Sequence, residues 1–467
     1  MRRPRFWNLC CRTVGAMPTL VVGMCVLRKC LPHAHDKRGH GTRRRSRLLI
    51  LGVCTLLPLL ASAAIAVERF PPPDFSDHIL PSITTPPSRP EVWEYVDLAV
   101  LAVGLGLASW LAIMKHSRRG LFALGLASLL WLGFVRQGCI CPIGAIQNVS
   151  LSLFDSQHAI PWTAAAVFAL PLLFTLFFGR TFCAAVCPLG AVQELVAVRP
   201  INVPNWLDQA LGVLAYVYLG AGVTFAATGA AFVICRYDPF VGFFRHSASV
   251  NMLILGGCFL VGGMFVGRPY CRYLCPYGAI LGLLSKASKW HAKIPPDDCI
   301  QCRLCEDACP YGAIREPTAA QPAAVRRRGR RRLALLLAVC PVLIVAGFWL
   351  GRQLETPLAR VHPLVRQAER VYQEQTGEVQ GTTDASDAFR NTGRPAGELY
   401  AEAARLRGTF RQAGGWFGAW VGLVVSVKLI YLSLRRRRTD YQPDRATCVS
   451  CGRCFWYCPC EHAPRPS

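Results

Sequence analysis

Long apolar runs alternating with short basic clusters set the rhythm of this chain. A hydrocarbon core of about 30 Å takes roughly 20 helical residues. Runs at 48–66, 95–114, 120–136, 160–178, 207–234, 250–267, 333–350 and 416–434 meet or approach that length. The pattern predicts a mainly α, polytopic membrane helical protein of about eight spans, the run at 120–136 being the shortest for its task. The first run also reads as a signal sequence, with a basic flank and small residues at Ala61, Ala63 and Ala66.

The polar positions between the runs assign the sides. KHSRR (115–119), RRRGRRR (326–332) and RRRR (435–438) fall on one side of this threading. Basic loops mark the cytoplasmic face, which places the protein in the cytoplasmic (inner) membrane as a multi-pass chain. The organisation expected is a basic cytoplasmic segment (1–47), a signal-like or first span (48–66) and an external Pro-rich loop (67–94). A membrane domain with Cys-Pro motifs (95–298) follows. Next come a first cytoplasmic cysteine motif (299–325), a basic run with a span (326–350) and an external helical segment (351–415). The last span (416–434) leads into a second cytoplasmic cysteine motif (435–467). The net charge of +25 would suggest nucleic acid in a soluble chain. Here the arginines adjoin apolar spans, so the partner expected is membrane lipid, and no nucleic acid.

The chain has 23 cysteines, and their spacing matters more than their number. Cys299–Pro310 reads C-x2-C-x2-C-x3-C-P, and Cys448–Pro459 repeats it. This is the bacterial ferredoxin spacing for two 4Fe–4S clusters; structural zinc is the distant alternative. In two-cluster ferredoxins the fourth cysteine serves the other cluster. One set is then Cys299, Cys302, Cys305 and Cys458, and the other is Cys448, Cys451, Cys454 and Cys309. Two spans lie between the motifs, so both return to one face: a split two-cluster ferredoxin-like cytoplasmic domain.

A second pattern, G-R-x-[FY]-C-x3-C-P-x-G-A, occurs at Gly179–Ala191 and Gly267–Ala279. Cys183, Cys187, Cys271 and Cys275 match the ligand count of a third cluster, with Arg180 and Arg268 available to balance its charge. The alternative is a pair of helix-end loops with arginines anchored at the headgroups. FVRQGCICPIGAIQ, residues 134–147, is a degenerate third copy. If 120–136 crosses, Cys139 and Cys141 lie on the outer face, with Cys235 nearby, as a candidate metal or disulfide site. Asp238 is a candidate proton or quinol contact, or an ordinary loop acid before a proline. His362 reads as a surface residue, and Cys460 as a spare thiol.

The paired G-R-x-[FY]-C-x3-C-P motifs followed by ferredoxin motifs resemble the NosR/NapH-type membrane polyferredoxins, a group that includes FixG/CcoG-type proteins. The resemblance covers roughly residues 95–315 and 445–460. It implies an iron–sulfur electron-transfer component of an oxidoreductase system, working between quinol or a cytoplasmic ferredoxin-type partner and a redox partner outside the cytoplasm. Nitrous-oxide or nitrate respiration is the setting implied. The FixG/CcoG branch implies copper reduction or metalloenzyme maturation instead, and redox sensing is a third reading. The loop at 67–94 is too short for the external flavin domain of NosR types and has no flavin attachment motif, so no flavin is expected. The long hairpin between the ferredoxin motifs departs from a simple NapH type.

Overall fold

The computed structural model describes residues 90, 92–138, 141–201, 203–294, 299–318, 322–434 and 438–462. The first expected span and Cys139 lie outside the described residues. The described residues are helical with one two-stranded ribbon. Among them five helices are long and apolar enough to cross a membrane: Val92–Ile113, Arg118–Val135, Asn205–Ala227, Val325–Gln353 and Ala396–Ser433. Trp162–Phe178 and Val250–Gly263 are shorter apolar helices.

Helix α1 (Val92–Ile113) is followed by α2 (Arg118–Ser128), which continues as a π-helical stretch to Val135. That continuation gives the segment about 27 Å of length at 1.5 Å per residue, close to the thickness of a hydrocarbon core of about 30 Å. After α3 (Pro142–Phe154) come α4 (Trp162–Phe178), a π turn at Phe182–Val186 and α5 (Pro188–Leu195). The run predicted as one span at 207–234 gives a crossing-length segment that stops earlier, at Ala227. Helices α6 (Asn205–Leu211) and α7 (Leu214–Ala227) end at Gly229, whose φ of +65° an L-residue resists. Short helices α8 (Val233–Tyr237) and α9 (Val241–Phe244) then fold back. Finally α10 (Val250–Gly263) leads into α11 (Pro269–Tyr273) and α12 (Pro276–Leu284).

The first ferredoxin motif carries α13 (Leu304–Asp307) and strand β1 (Ile314–Arg315). Helix α14 (Ala323–Gln353) takes the Arg run into its first turns, and arginine is a good helix former. Helices α15 (Glu355–Ala359), α16 (Pro363–Thr376) and α17 (Asp384–Asn391) form the polar segment with a core of their own around Val365, Phe389, Leu399 and Phe410. There His362 caps α16, its Nδ1 accepting from Leu364 N at 3.2 Å. The helix that carries the expected last span starts well before 416. That span is the second half of one helix, α18 (Ala396–Ser433), because no proline or unpaired loop interrupts the sequence.

Helices α14 and α18 pack along a seam of glycines. A Cβ placed on Gly414 would come 2.6 Å from Gly351 O, and one on Gly347, Gly351 or Gly418 would fall on the facing backbone. Small residues at four-residue spacing are what lets membrane helices approach this closely. The hairpin returns the chain to β2 (Gln442–Pro443), which pairs antiparallel with β1, Ile314 opposite Pro443 and Arg315 opposite Gln442. Asp444 N donates to Ala313 O at 2.7 Å. Helices α19 (Arg453–Trp456) and α20 (Pro459–His462) end the described chain.

Candidate metal centres

The ribbon brings the two ferredoxin motifs into one core. Cys309, Tyr311, Ala313, Ile314, Tyr441, Val449 and Cys451 are buried together, with Cys299, Cys305, Cys448 and Cys454 packed on them. Two thiol groupings emerge. Cys448, Cys451, Cys454 and Cys309 interact electrostatically with one another. Cys305 lies in reach of Cys299 and Cys302, while Cys460 touches Cys458 and is in reach of Cys302. Cys309 of the first motif thus sits with the first three cysteines of the second, and Cys460 stands between Cys458 and Cys302. Burial pushes the Cys448 thiol up to about 12 and that of Cys305 up to about 11. Such thiols stay protonated at neutral pH unless a cation's field draws the proton off, and a thiolate-bound metal does that.

The Cys-Pro motifs are built on helix starts. Cys187 and Cys275 precede Pro188 and Pro276, and proline's fixed φ suits the first helical position. The two copies clasp each other. Arg268, fully buried, donates from Nη2 to Ala184 O at 3.3 Å and from Nη1 to Cys183 O. Gly190 of the first copy leaves room for Arg268, and Gly278 of the second leaves room for Arg180, a Cβ there being 2.9 Å and 3.4 Å away. Cys183, Cys187, Cys271 and Cys275 are mutually in electrostatic reach. Gln193 Nε2 lies 3.1 Å from Cys271 Sγ, and Gly278 N lies 3.3 Å from Cys275 Sγ. Four thiols, two buried guanidiniums and N–H donors aimed at sulfur suit an anionic thiolate-ligated cluster. The arginines are interior groups and do not anchor at the headgroups: Arg180 Nη1 donates to Ala446 O at 2.9 Å, beside the second ferredoxin motif.

Among the described residues no three His, Cys, Asp or Glu side chains converge tightly enough to share a single ion. A cubane asks for something else, since its four thiolates bind four different irons and surround a volume.

One group in this region carries no motif signal. Glu194, on α5, is buried and receives Arg453 Nη2 at 2.6 Å, Arg268 Nε at 3.1 Å, Tyr311 OH at 3.0 Å and Arg118 Nη2. It thereby joins the membrane helices to both ferredoxin motifs. In sequence it looks like an ordinary helix acid.

Beside the thiols of the paired motifs lies a cavity of about 390 Å³ whose wall includes Cys183, Cys271 and Cys275. Its other side is apolar, from Trp420, Leu423, Val424 and Val427 of α18, and Asp208, Lys428 and Tyr431 add polar groups. At the opposite end of α2, Cys141 and Cys235 line a second cavity of about 430 Å³. Asp238 is buried there and serves as a cap: Oδ1 accepts from Phe240 N at 2.8 Å and Val241 N at 3.0 Å, and Oδ2 from Tyr270 OH at 2.7 Å.

Comparison with known proteins agrees with these motifs. A 4Fe–4S binding domain family matches residues 160–213 and 249–295, spanning both Cys-Pro copies, and a second 4Fe–4S binding domain family matches 292–315. Protein NirI of Paracoccus denitrificans (strain Pd 1222) is 33% identical over 258 residues, 48% of this chain and 32% of that protein. YccM of Escherichia coli (strain K12), named for electron transport, is 30% identical over 122 residues, 24% of this chain and 34% of its own. The chain spans about a third of the length of these curated relatives. No solved structure matches. The chain carries 4Fe–4S binding domains among helices long enough to cross a membrane, and it is similar to NirI and YccM.

Proposed function

Taking the chain as an iron–sulfur electron-transport protein related to NirI and YccM, we propose that it links the quinone pool, or a cytoplasmic ferredoxin-type donor, to a reductase outside the cytoplasm. Nitrous-oxide or nitrate respiration is the setting proposed. The observation that carries this reading is the position of Cys183, which packs both on the core of the membrane helices and on the ferredoxin core. The thiol sets therefore follow one another without a gap, from the ferredoxin pair into the membrane. Bound there, 4Fe–4S clusters would supply one-electron chemistry. Cys299, Cys302, Cys305 and Cys458 would hold one cluster, Cys448, Cys451, Cys454 and Cys309 a second, and Cys183, Cys187, Cys271 and Cys275 a third.

The protein's own part is burial, charge and access. Arg180 and Arg268 offset thiolate charge in a region closed to water. The cavity against α18 suits the ring of a quinol: apolar on the lipid side, with Asp208 placed as a proton acceptor and tied to Arg272 at 2.7 Å. The Arg run at the start of α14, beside the ferredoxin module, favours a cytoplasmic position for that module.

Iron and sulfide per chain, with EPR under anaerobic conditions, test the ligand sets. About twelve irons are expected, against about eight for the ferredoxin pair alone. Cys183→Ser is expected to remove about four of them. Eight irons and an unchanged Cys183→Ser variant would overturn the third set. The quinol cavity has its own test: Val427→Trp fills it and is expected to slow quinol oxidation at least tenfold with iron content unchanged. An unaffected rate in that variant would remove quinol from the scheme.

A further inference from the structure

The degenerate first Cys-Pro copy has a partner that sequence spacing alone conceals. At the ferredoxin end, Gln193 stands six residues after Cys187; its Oε1 accepts Tyr270 N at 3.1 Å and its Nε2 reaches Cys271 Sγ. At the far end, Gln147 stands six residues after Cys141, and its Oε1 accepts Cys235 N at 3.1 Å. Gly190, three residues after Cys187, backs onto the other copy. Gly144, three residues after Cys141, backs onto Cys235, whose Sγ would lie 3.0 Å from a Cβ placed there. Cys235 opens C-R-Y-D-P, and Cys271 opens C-R-Y-L-C-P. The membrane domain therefore holds two similar clasps: Cys141 precedes a helix-starting proline as Cys187 does, and the glutamine six residues on takes the backbone N–H of Cys235 in one and of Tyr270, the neighbour of Cys271, in the other.

Two further observations point to a ligand. Gln147 is fully buried and its Nε2 has no partner among the described residues, whereas the corresponding amide of Gln193 is turned to a sulfur. Cys141 and Cys235 share the wall of the far-end cavity with Arg136 and Arg245. Asp238, in the place of the fourth thiol, has both oxygens engaged in capping and is left out of the donor set. Cys141 also lies within electrostatic reach of Cys187, so the two clasps adjoin.

We propose that Cys141 and Cys235 form a second metal site of the membrane domain, binding iron through two thiolates at the end remote from the ferredoxin motifs. Sulfur donors select soft metals and iron–sulfur centres, and an electron-transport chain needs a metal that changes oxidation state. The centre gains one electron from the ferredoxin side and gives one to an electron-acceptor protein at its own face, with no bond made or broken. This role and the choice of iron rest on the electron-transfer reading above; a soft-metal site at the two thiols does not.

The test uses the full chain purified anaerobically, comparing wild type with C141S, C235S, Q147L and C183S by iron content and EPR. C141S and C235S are expected to lose the same fraction of iron and the same signal while the ferredoxin-pair signals persist, which also shows that both variants fold. Q147L is expected to keep the iron and shift the midpoint potential of that signal. Unchanged iron and spectra in both cysteine variants would overturn the proposal, as would a Cys141–Cys235 disulfide in the anaerobic wild type. Iron lost in C141S but not in C183S would retain this site and dismiss the third cluster of the proposed function.

Discussion

Glu194→Gln is expected to destabilise the docking of the ferredoxin module on the membrane helices by about 3–5 kcal/mol, the usual cost of removing one partner of a buried charge network. The variant leaves Arg118, Arg268 and Arg453 facing each other around a neutral amide. Burial alone would push the Glu194 carboxyl up, but Arg268, Arg453 and Arg118 outweigh it and hold the group at about 2, against an ordinary value of 4.5. A difference of that size corresponds to about 3 kcal/mol. Because the folded value is the lower one, the contribution is fully present above the ordinary carboxylate range and is lost as the pH falls through about 2. Thermal unfolding in detergent from pH 7 downward checks both points. Wild type should lose stability as the pH drops below about 4.5, while the Gln variant should start lower and lack this component. A variant with wild-type melting temperature and wild-type exchange protection at Asp444 N would show that the hub holds nothing.

Gly418→Leu is expected to force α14 and α18 apart, since a Cβ at Gly418 would fall on the carbonyl of Gly347. Backbone cannot give way as a flexible side chain can, so the cost is expected at or above the roughly 1–3 kcal/mol of ordinary overpacking. The consequence reaches beyond the seam. Strand β1 enters α14 and β2 leaves α18, so the two halves of the ferredoxin module are held in register by this hairpin. Loss of the ferredoxin-pair iron signal in Gly418→Leu is the expected readout. Gly408→Leu, on the same helix with open space around it, is the control and should keep that signal. Equal behaviour of the two variants would dissociate the seam from the module.

Much of this was legible because ligand spacing and span length are local properties. C-x2-C-x2-C-x3-C-P declares its chemistry within a dozen residues, and the paired G-R-x-[FY]-C-x3-C-P motifs do the same at Cys183 and Cys271. The glycine seam was also readable in principle: Gly347 and Gly351 face Gly414 and Gly418 at four-residue spacing, and Gly422, four residues on, meets the backbone of Leu343. Gly229 was harder, since an isolated glycine in an apolar run is often tolerated within a helix.

Other features had no local signature. Glu194 acquires its role only when Arg118, Arg268 and Arg453, far apart in the chain, converge on it. Arg180 and Arg268 carried two readings in sequence, headgroup anchor or interior charge, and their burial decided between them. Asp238 offered an acid for chemistry and turned out to cap a turn. The sequence by itself determined which residues can bind iron and which runs can cross a membrane, because both depend on neighbours a few positions away. Only the tertiary structure decided which thiols come near one another, how the two halves of the ferredoxin module pair through β1 and β2, and that Cys141 and Cys235 line one cavity, because those contacts depend on helix packing between distant segments.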